Sequence, residues 1–265
     1  MRRAIFVACL VLVLASTDAF AGTGGTAPGA GAGARLQGTW AMNGKVTRAD
    51  NVRGERKGQK LKRTWSFTSS CASGPCSTVS LKRERSSKQF DKLTLKRSGS
   101  TYAGSDKFYV RLKCNGRTYN RGGIAYYTIR VKVTKTRTAQ TTAFATRVSA
   151  TYNNTKRVNK TPCAGSIGRD AGTYSGKLSS AFPTAPTADF GFADDPTTPG
   201  KVDFADKSTR AKSARFVSWK WDFGDGTKST EKNPSHQYAP GTYHVTLTVM
   251  DSNGLTSSVT KDVMI

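Results

Sequence analysis

Val217-Ser218-Trp219-Lys220-Trp221-Asp222-Phe223-Gly224-Asp225-Gly226 is the stretch on which the reading of this 265-residue chain turns. Trp219, Trp221 and Phe223 alternate with Lys220 and Asp222, so three aromatic rings share one face of a strand. Gly224-Asp225-Gly226 then supplies a tight hairpin turn, with positive φ open to both glycines. Farther out, Tyr243, Val245, Leu247 and Val249 form the core side of another strand. Ala188 to Phe192 and Val202 to Phe204 precede the run, and Ser252-Asn253-Gly254-Leu255 turns into a last strand, Thr256 to Ile265. About 80 residues with about seven short strands predict an immunoglobulin-like β-sandwich.

Three motifs stand together here: Trp-Asp-Phe-Gly-Asp-Gly at 221–226, Asn-Pro-Ser-His-x-Tyr at 233–238, and Gly-Thr-Tyr-x-Val-x-Leu-x-Val at 241–249. In order and spacing the segment 187–265 resembles a PKD domain, over about 30% of the chain. The resemblance implies an Ig-like sandwich of exported and cell-surface proteins, often found beside secreted hydrolases. There it serves as a spacer or as a protein- or carbohydrate-binding module, without catalysis. It also implies structural roles: Trp221 and Phe223 pack, Gly224 and Gly226 turn, and Tyr243 anchors a strand corner. Asp222 and Asp225 fall short of the six to eight oxygens that calcium requires, so hydrogen bonds to backbone are expected of them. No metal and no cofactor is assigned.

The charge belongs to the other part of the chain. Overall, 42 Lys+Arg face 17 Asp+Glu, a net charge of +25. Residues 22–182 hold 31 of the basic side chains and six of the acidic ones, whereas 183–265 hold nine and ten. Such asymmetry marks two modules with different partners, and Phe182-Pro183-Thr184-Ala185-Pro186 reads as the linker (182–186) between them.

At the N-terminus, Arg2 and Arg3 precede an apolar run from Ala4 to Ala15, and Ala19-Phe20-Ala21 follows. A basic start, a short apolar stretch and an A-x-A site predict a secretory signal peptide at 1–21, too short to span a bilayer. No later stretch is long and apolar enough to do so, and an extracellular or cell-surface location is expected. Residues 22–36, rich in Gly and Ala, read as a flexible leader. Leaving Cys9 in the signal, four cysteines remain: Cys71, Cys76, Cys114 and Cys163. In an exported chain they predict disulfides, with Cys71–Cys76 across the turn Ala72-Ser73-Gly74-Pro75 and Cys114–Cys163 as the remaining pair. Their spacing does not suit a four-cysteine zinc site.

The basic segment, 37–181, alternates with period two throughout. Trp65 and Phe67 share a face, as do Leu93 and Leu95; Phe108, Val110, Leu112 and Cys114; Ile129, Val131 and Val133; and Phe144, Val148, Ala150 and Tyr152. Turns are expected at Gly74-Pro75, Ser98-Gly99, Gly104-Ser105, Asn115-Gly116 and Arg121-Gly122-Gly123. With no sustained 3.6 period, the domain reads as all-β: a barrel-like antiparallel meander of about eight short strands, or a sandwich. With consecutive strands as neighbours, Lys92, Lys96, Lys107, Arg111, Lys113, Arg130 and Lys132 share an outward face with Tyr109 and Tyr126. Charge interleaved with aromatics suits an anionic, ring-bearing polymer. Acidic polysaccharide or another envelope polymer is the expected partner, and nucleic acid is not expected in vivo for an exported chain.

Catalysis finds no foothold. The two histidines, His236 and His244, lie in the PKD-like part, which excludes a Ser-His-Asp triad or a His-rich zinc site in the basic domain. Its acids, Asp50, Glu55, Glu84, Asp91, Asp106 and Asp170, look scattered. The expectation is a non-enzymatic binding protein. Two alternatives remain: an interaction protein whose PKD part binds protein or neutral glycan, and an accessory part of an extracellular hydrolase.

Overall fold

A computed structural model describes residues 33–52, 54–86, 89–159 and 168–265. The signal sequence, most of the leader and Cys163 lie outside them. Among the described residues there is no helix, and every element is a strand.

Eight strands close into a barrel in chain order: β1 (Gly38–Asp50), β2 (Lys60–Ser69), β3 (Thr78–Ser86), β4 (Gln89–Ser98), β5 (Thr101–Cys114), β6 (Arg117–Ala139), β7 (Thr142–Asn159) and β8 (Arg169–Leu178). Each runs antiparallel to the next, and β8 returns to pair with β1 from Trp40↔Leu178 to Asp50↔Arg169. Closure gives the alternation an inside and an outside. Trp40, Met42, Trp65, Phe67, Leu81, Leu95, Tyr102, Ile129 and Val131 are all buried and fill the interior, which suits an eight-stranded barrel.

Three expectations need correcting. The strands are not uniformly short, for β6 has 23 residues and β7 has 18. Gly104-Ser105 and Arg121-Gly122-Gly123 are not turns but lie inside β5 and β6. Their glycines serve close approach instead: a Cβ on Gly104 would stand 2.5 Å from the Thr94 carbonyl oxygen, and one on Gly122 would stand 2.9 Å from Leu112 Cβ. The end of the stretch read as a leader is packed, with Ala34 and Leu36 in the core and Arg35 bridging to Phe144. The turn at Asn115-Gly116 is as expected, with φ of 50° and 72°.

The C-terminal module has seven strands: β9 (Phe190–Asp194), β10 (Lys201–Asp206), β11 (Phe216–Asp222), β12 (Lys228–Ser229), β13 (Ser235–Gln237), β14 (Thr242–Asp251) and β15 (Thr256–Met264). They form two sheets, β13-β10-β9 and β12-β11-β14-β15. Phe204 is the hub of the core, with ring centroids 5.4 Å from Trp221 and 5.5 Å from Phe223. Trp219 sits at the margin of the core, half-buried, and donates to Asp206 Oδ2 at 2.8 Å.

The modules touch through more than the linker. Buried Arg35 donates to the carbonyl oxygens of Cys71 and Ser252, both at 2.8 Å, tying the cysteine loop of the barrel to the β14–β15 turn. Gln37 donates to Asn253 Oδ1 at 2.6 Å. The Gln140 amide exchanges two bonds with the Thr256 backbone, at 2.6 and 3.0 Å.

Candidate functional site

The barrel is uneven, and the unevenness makes a site. β4 pairs with β5 only over Lys96↔Ala103, Arg97↔Tyr102 and Ser98↔Thr101. The β5–β6 ladder continues to Cys114↔Arg117, and β7 follows β6 as far as Gly123↔Asn159. A three-stranded arm therefore extends past the β4 seam. Its inward residues, Phe108, Val110, Leu112 and Cys114, are only half-buried.

On the arm's outer face two cross-strand rows stand side by side. One is Tyr109↔Ile124↔Val158, and the next is Lys107↔Tyr126↔Lys156. Tyr109 is 46% exposed, Val158 43% and Tyr126 37%. Opposite side chains on one face of a sheet lie close enough to act together. The arm thus shows an aromatic and apolar strip flanked by ammonium groups. Arg121 lies over the Tyr109 ring at 4.7 Å, a ready cation–π arrangement.

The nine residues expected in this patch are all exposed. The structure brings Lys107, Tyr109, Arg111, Lys113 and Tyr126 together on the arm, with Arg111 at a bulge between Val110 and Leu112. Lys96 and Arg130 flank Ala103 on adjacent strands, and Lys132 pairs with Thr101 beside them. Lys92 stands apart, opposite Lys82 on the β3–β4 hairpin. Sequence reasoning missed Ile124, Lys156 and Val158. Ile124 shares the period-two face of Tyr126, but alternation continued from inward Tyr152 turns Lys156 and Val158 inward as well, and the bulge at Thr155 is what sends them outward.

A second cluster fills the barrel mouth. Of the six acids that look scattered, the structure gathers Glu55, Asp91 and Asp170 around Arg83 and Arg85. Arg83 is buried, pairs with Asp91 at 2.6 Å and lies over the rings of Tyr152 (4.3 Å) and Tyr127 (4.9 Å). Arg85 covers Phe108 at 3.9 Å. Asp170 accepts from Asn154 at 3.0 Å and from the Tyr152 hydroxyl at 3.4 Å. Burial and the charge of Asp170 push the Glu55 carboxyl above its ordinary range. Burial likewise raises the Tyr127 and Tyr152 phenols. The space left there is about 30 Å³, enough for a water, so the cluster is an internal ion-pair plug.

Cys71 and Cys76 are bridged. Cys114 is also in a disulfide, and its expected partner Cys163 lies outside the described residues. In the C-terminal module Trp221 and Phe223 are buried, while Gly224 and Gly226 take φ of 80° and 90°. Asp222 accepts from the Gly224 N–H at 3.1 Å and Asp225 from the Thr227 N–H at 2.9 Å. Asp225 also meets His236 Nε2 at 2.7 Å, and that imidazole stacks on Phe223 with centroids 4.1 Å apart. Burial opposes the Asp225 charge, but the bonds from Thr227 and His236 outweigh it and hold the carboxyl at about 2. The Tyr243 hydroxyl reaches back to the Ala239 carbonyl at 3.1 Å, the strand-corner bond expected of it.

Residues 183–265 match the PKD domain family. The segment is 43% identical over 65 residues to a microbial collagenase of Vibrio alginolyticus, covering 24% of this chain and 8% of that protein. It is 47% identical over 55 residues to collagenase ColA of Bacillus cereus, covering 20% of this chain and 6% of that one. The chain thus spans under a tenth of these relatives' lengths. Among solved structures it is similar to the PKD1 domain of Vibrio anguillarum Epp, at 34% identity, with 32% of this chain and 96% of that one covered and a TM-score of 0.29. The PKD1 domain of the Vibrio cholerae metalloprotease PrtV is similar at 33% identity, covering 31% and 96%, with a TM-score of 0.28. The C-terminal module is a PKD domain.

Proposed function

We propose that this chain is an extracellular, non-enzymatic binding protein whose barrel engages an acidic polymer, the PKD domain acting as its spacer or second contact. One observation carries the reading: the paired rows Tyr109–Ile124–Val158 and Lys107–Tyr126–Lys156 on a projecting arm. Ammonium groups beside exposed rings suit acidic groups carried on flat, ring-bearing units. The excess of positive charge on this module goes well beyond the net charge of about 2–8 that solubility asks of a small domain.

One fact of the structure supports that location. The Cys71–Cys76 bridge belongs to oxidising compartments. No helix among the described residues is long and apolar enough to cross a membrane, which by itself says nothing of strands. The barrel is nonetheless the inverse of a membrane-spanning one. Its apolar residues point inward, while Lys45, Lys60, Lys96, Arg130 and Lys132 are exposed, each costing about 2–4 kcal/mol at a bilayer midplane.

A second reading has its own support. The PKD relatives are collagenases, so the chain could serve as an accessory component alongside an extracellular hydrolase, its barrel fixing the assembly to an acidic matrix. Both readings share the binding step. Purified protein is passed over a heparin-type or acidic cell-wall-polymer resin at rising salt. Retention should collapse between about 50 and 200 mM salt, and Lys107→Ala/Lys156→Ala should elute at clearly lower salt. Tyr109→Ala should weaken binding without changing the salt slope, since it removes stacking and no charge. Retention indifferent to salt, or none at low ionic strength, overturns the proposal.

A further inference from the structure

The barrel and the PKD domain enclose a cleft of about 310 Å³ between them, open to solvent on one side. Ligand sites favour domain interfaces, and this volume lies at the lower end of their usual range of roughly 300–1,000 Å³. From its lining we infer that the cleft binds an uncharged, hydroxyl-rich ligand: a short segment of neutral oligosaccharide.

Charge decides the class first. In a protein of net charge +25, the cleft is lined by no carboxylate and by one cation, Arg215. A cationic ligand meets no partner there and is repelled by the whole barrel. An anionic one finds far more positive charge on the arm than in the cleft. An uncharged polar ligand loses nothing by entering.

Hydrogen-bonding capacity decides next. Ser180 Oγ accepts from the Thr39 N–H and Ser252 Oγ from the Arg215 N–H, each at 3.2 Å. Each keeps its own O–H free to donate to a ligand oxygen, since a hydroxyl is one donor and two acceptors. Thr68 on the barrel wall and Ser213 on the PKD wall add exposed hydroxyls. Leu178, Ala181 and Pro183, none of them buried, contribute apolar surface beside them. Hydroxyls next to apolar surface match a sugar ring, which has polar edges and apolar faces. An extended peptide is served less well: the lining strands β1, β2, β7 and β8 are paired on both sides within the closed barrel, so none offers an edge to extend.

Rigidity completes the case. The two walls are held in register by the Arg35, Gln37 and Gln140 bonds across the modules. A ligand that touches both walls therefore meets a preformed site and does not have to order it.

The test is calorimetric titration of the full protein with three neutral probes: maltotriose, cellotriose and triacetylchitotriose. Saturable one-to-one binding of at least one probe is expected, unchanged between about 50 and 500 mM NaCl, unlike binding on the arm. Thr68→Trp and Ser213→Trp, which fill the cleft from opposite walls, should each weaken it about tenfold or more, a loss of about 1.4 kcal/mol. Lys107→Ala/Lys156→Ala should leave it unchanged, so this inference and the proposed function fail separately. Amide NMR shifts in the unmutated protein provide a readout independent of variant folding, and should centre on Thr68, Ser180, Ser213 and Ser252. No heat from any of the three probes at about 10 mM, well above a millimolar Kd, overturns the inference. So does binding that survives both tryptophans, or shifts centred elsewhere. Stronger binding of an uncharged tripeptide, trialanine amide acetylated at its N-terminus, would assign the cleft to peptide and overturn it as well.

Discussion

Replacing Arg35 with Met keeps an unbranched stem in the core and deletes the guanidinium that joins the two modules. That group donates to Gln37 Oε1 at 2.6 Å, to the Cys71 and Ser252 carbonyls at 2.8 Å each, and to the Gly74 carbonyl at 3.3 Å. A hydrogen bond from a charged donor contributes about 1.5–3 kcal/mol net. The two short carbonyl bonds would thus suggest about 3–6 kcal/mol. Burial works the other way: it pushes the Arg35 pKa down against the pull of Asp251, so the charge is held at a desolvation cost that Met does not incur. A net loss of about 2–4 kcal/mol is expected, which lowers Tm by roughly 5–15 °C for a unit of this size. Scanning calorimetry reads the loss. Because the Ser252 bond crosses the modules, limited proteolysis within residues 182–186 should also accelerate. If Arg35→Met melts like the unmutated protein and its linker is cut no faster, the two modules are not clamped and the cleft between them is not preformed.

Gly254 and Gly226 form a matched pair of probes. Both have positive φ, 77° and 90°, yet a Cβ on Gly254 would stand 2.9 Å from Ser73 Cα, whereas nothing lies within 4 Å of one on Gly226. Gly226→Ala should cost about 1 kcal/mol by denaturant titration, for backbone conformation alone, and Gly254→Ala clearly more, with a faster-cleaved linker. Equal losses would refute the packing of the β14–β15 turn on the cysteine loop. Cys71→Ser/Cys76→Ser should cost about 2 kcal/mol by the loop-entropy relation, since the pair is only five positions apart. A loss below 0.5 kcal/mol, about a quarter of that relation, would show that the loop is held by Arg35 rather than by the bridge. Asp225 gives a pH dependence. Its folded pKa, about 2, lies below the unfolded value, so its contribution is complete above about pH 4 and disappears as pH falls towards 2. Asp225→Asn should flatten the stability of the PKD domain across that window, and an unchanged acid limb would refute the assignment.

The PKD domain was legible because its signals are local. Aromatic alternation, a glycine-flanked turn and a strand-corner tyrosine lie within about 30 residues, and each reports its own geometry: Trp221 and Phe223 are buried and Tyr243 reaches Ala239. The barrel was legible as strands but not as lengths. Gly104 and Gly122 look like turn glycines, since a glycine that permits φ > 0 and one that admits a neighbouring strand are the same letter. Arg35 looks like part of a flexible leader for a similar reason. Its partners, Cys71 and Ser252, lie 36 and 217 positions away, beyond the reach of any periodicity.

The same distinction explains the two charge clusters. Residues on one strand face are related by period two, so Lys107, Tyr109, Arg111 and Lys113 could be grouped from spacing alone, and all are exposed. Grouping across strands needs register, and register is what places Lys156 beside Tyr126 and Asp91 beside Arg83. Three of the six acids that look scattered, Glu55, Asp91 and Asp170, offset the arginines pointing into the barrel mouth, at Arg83–Asp91 above all. Subtracting those buried arginines leaves the outer-face cations with few acids among them. The positive charge that remains is therefore concentrated on the barrel exterior; exposed rings accompany it on the β5–β6–β7 arm and at Phe90, whose ring lies 4.6 Å from Lys82 Nζ. A binding defect confined to arm substitutions, with barrel-mouth substitutions losing stability instead, is what that division of charge requires.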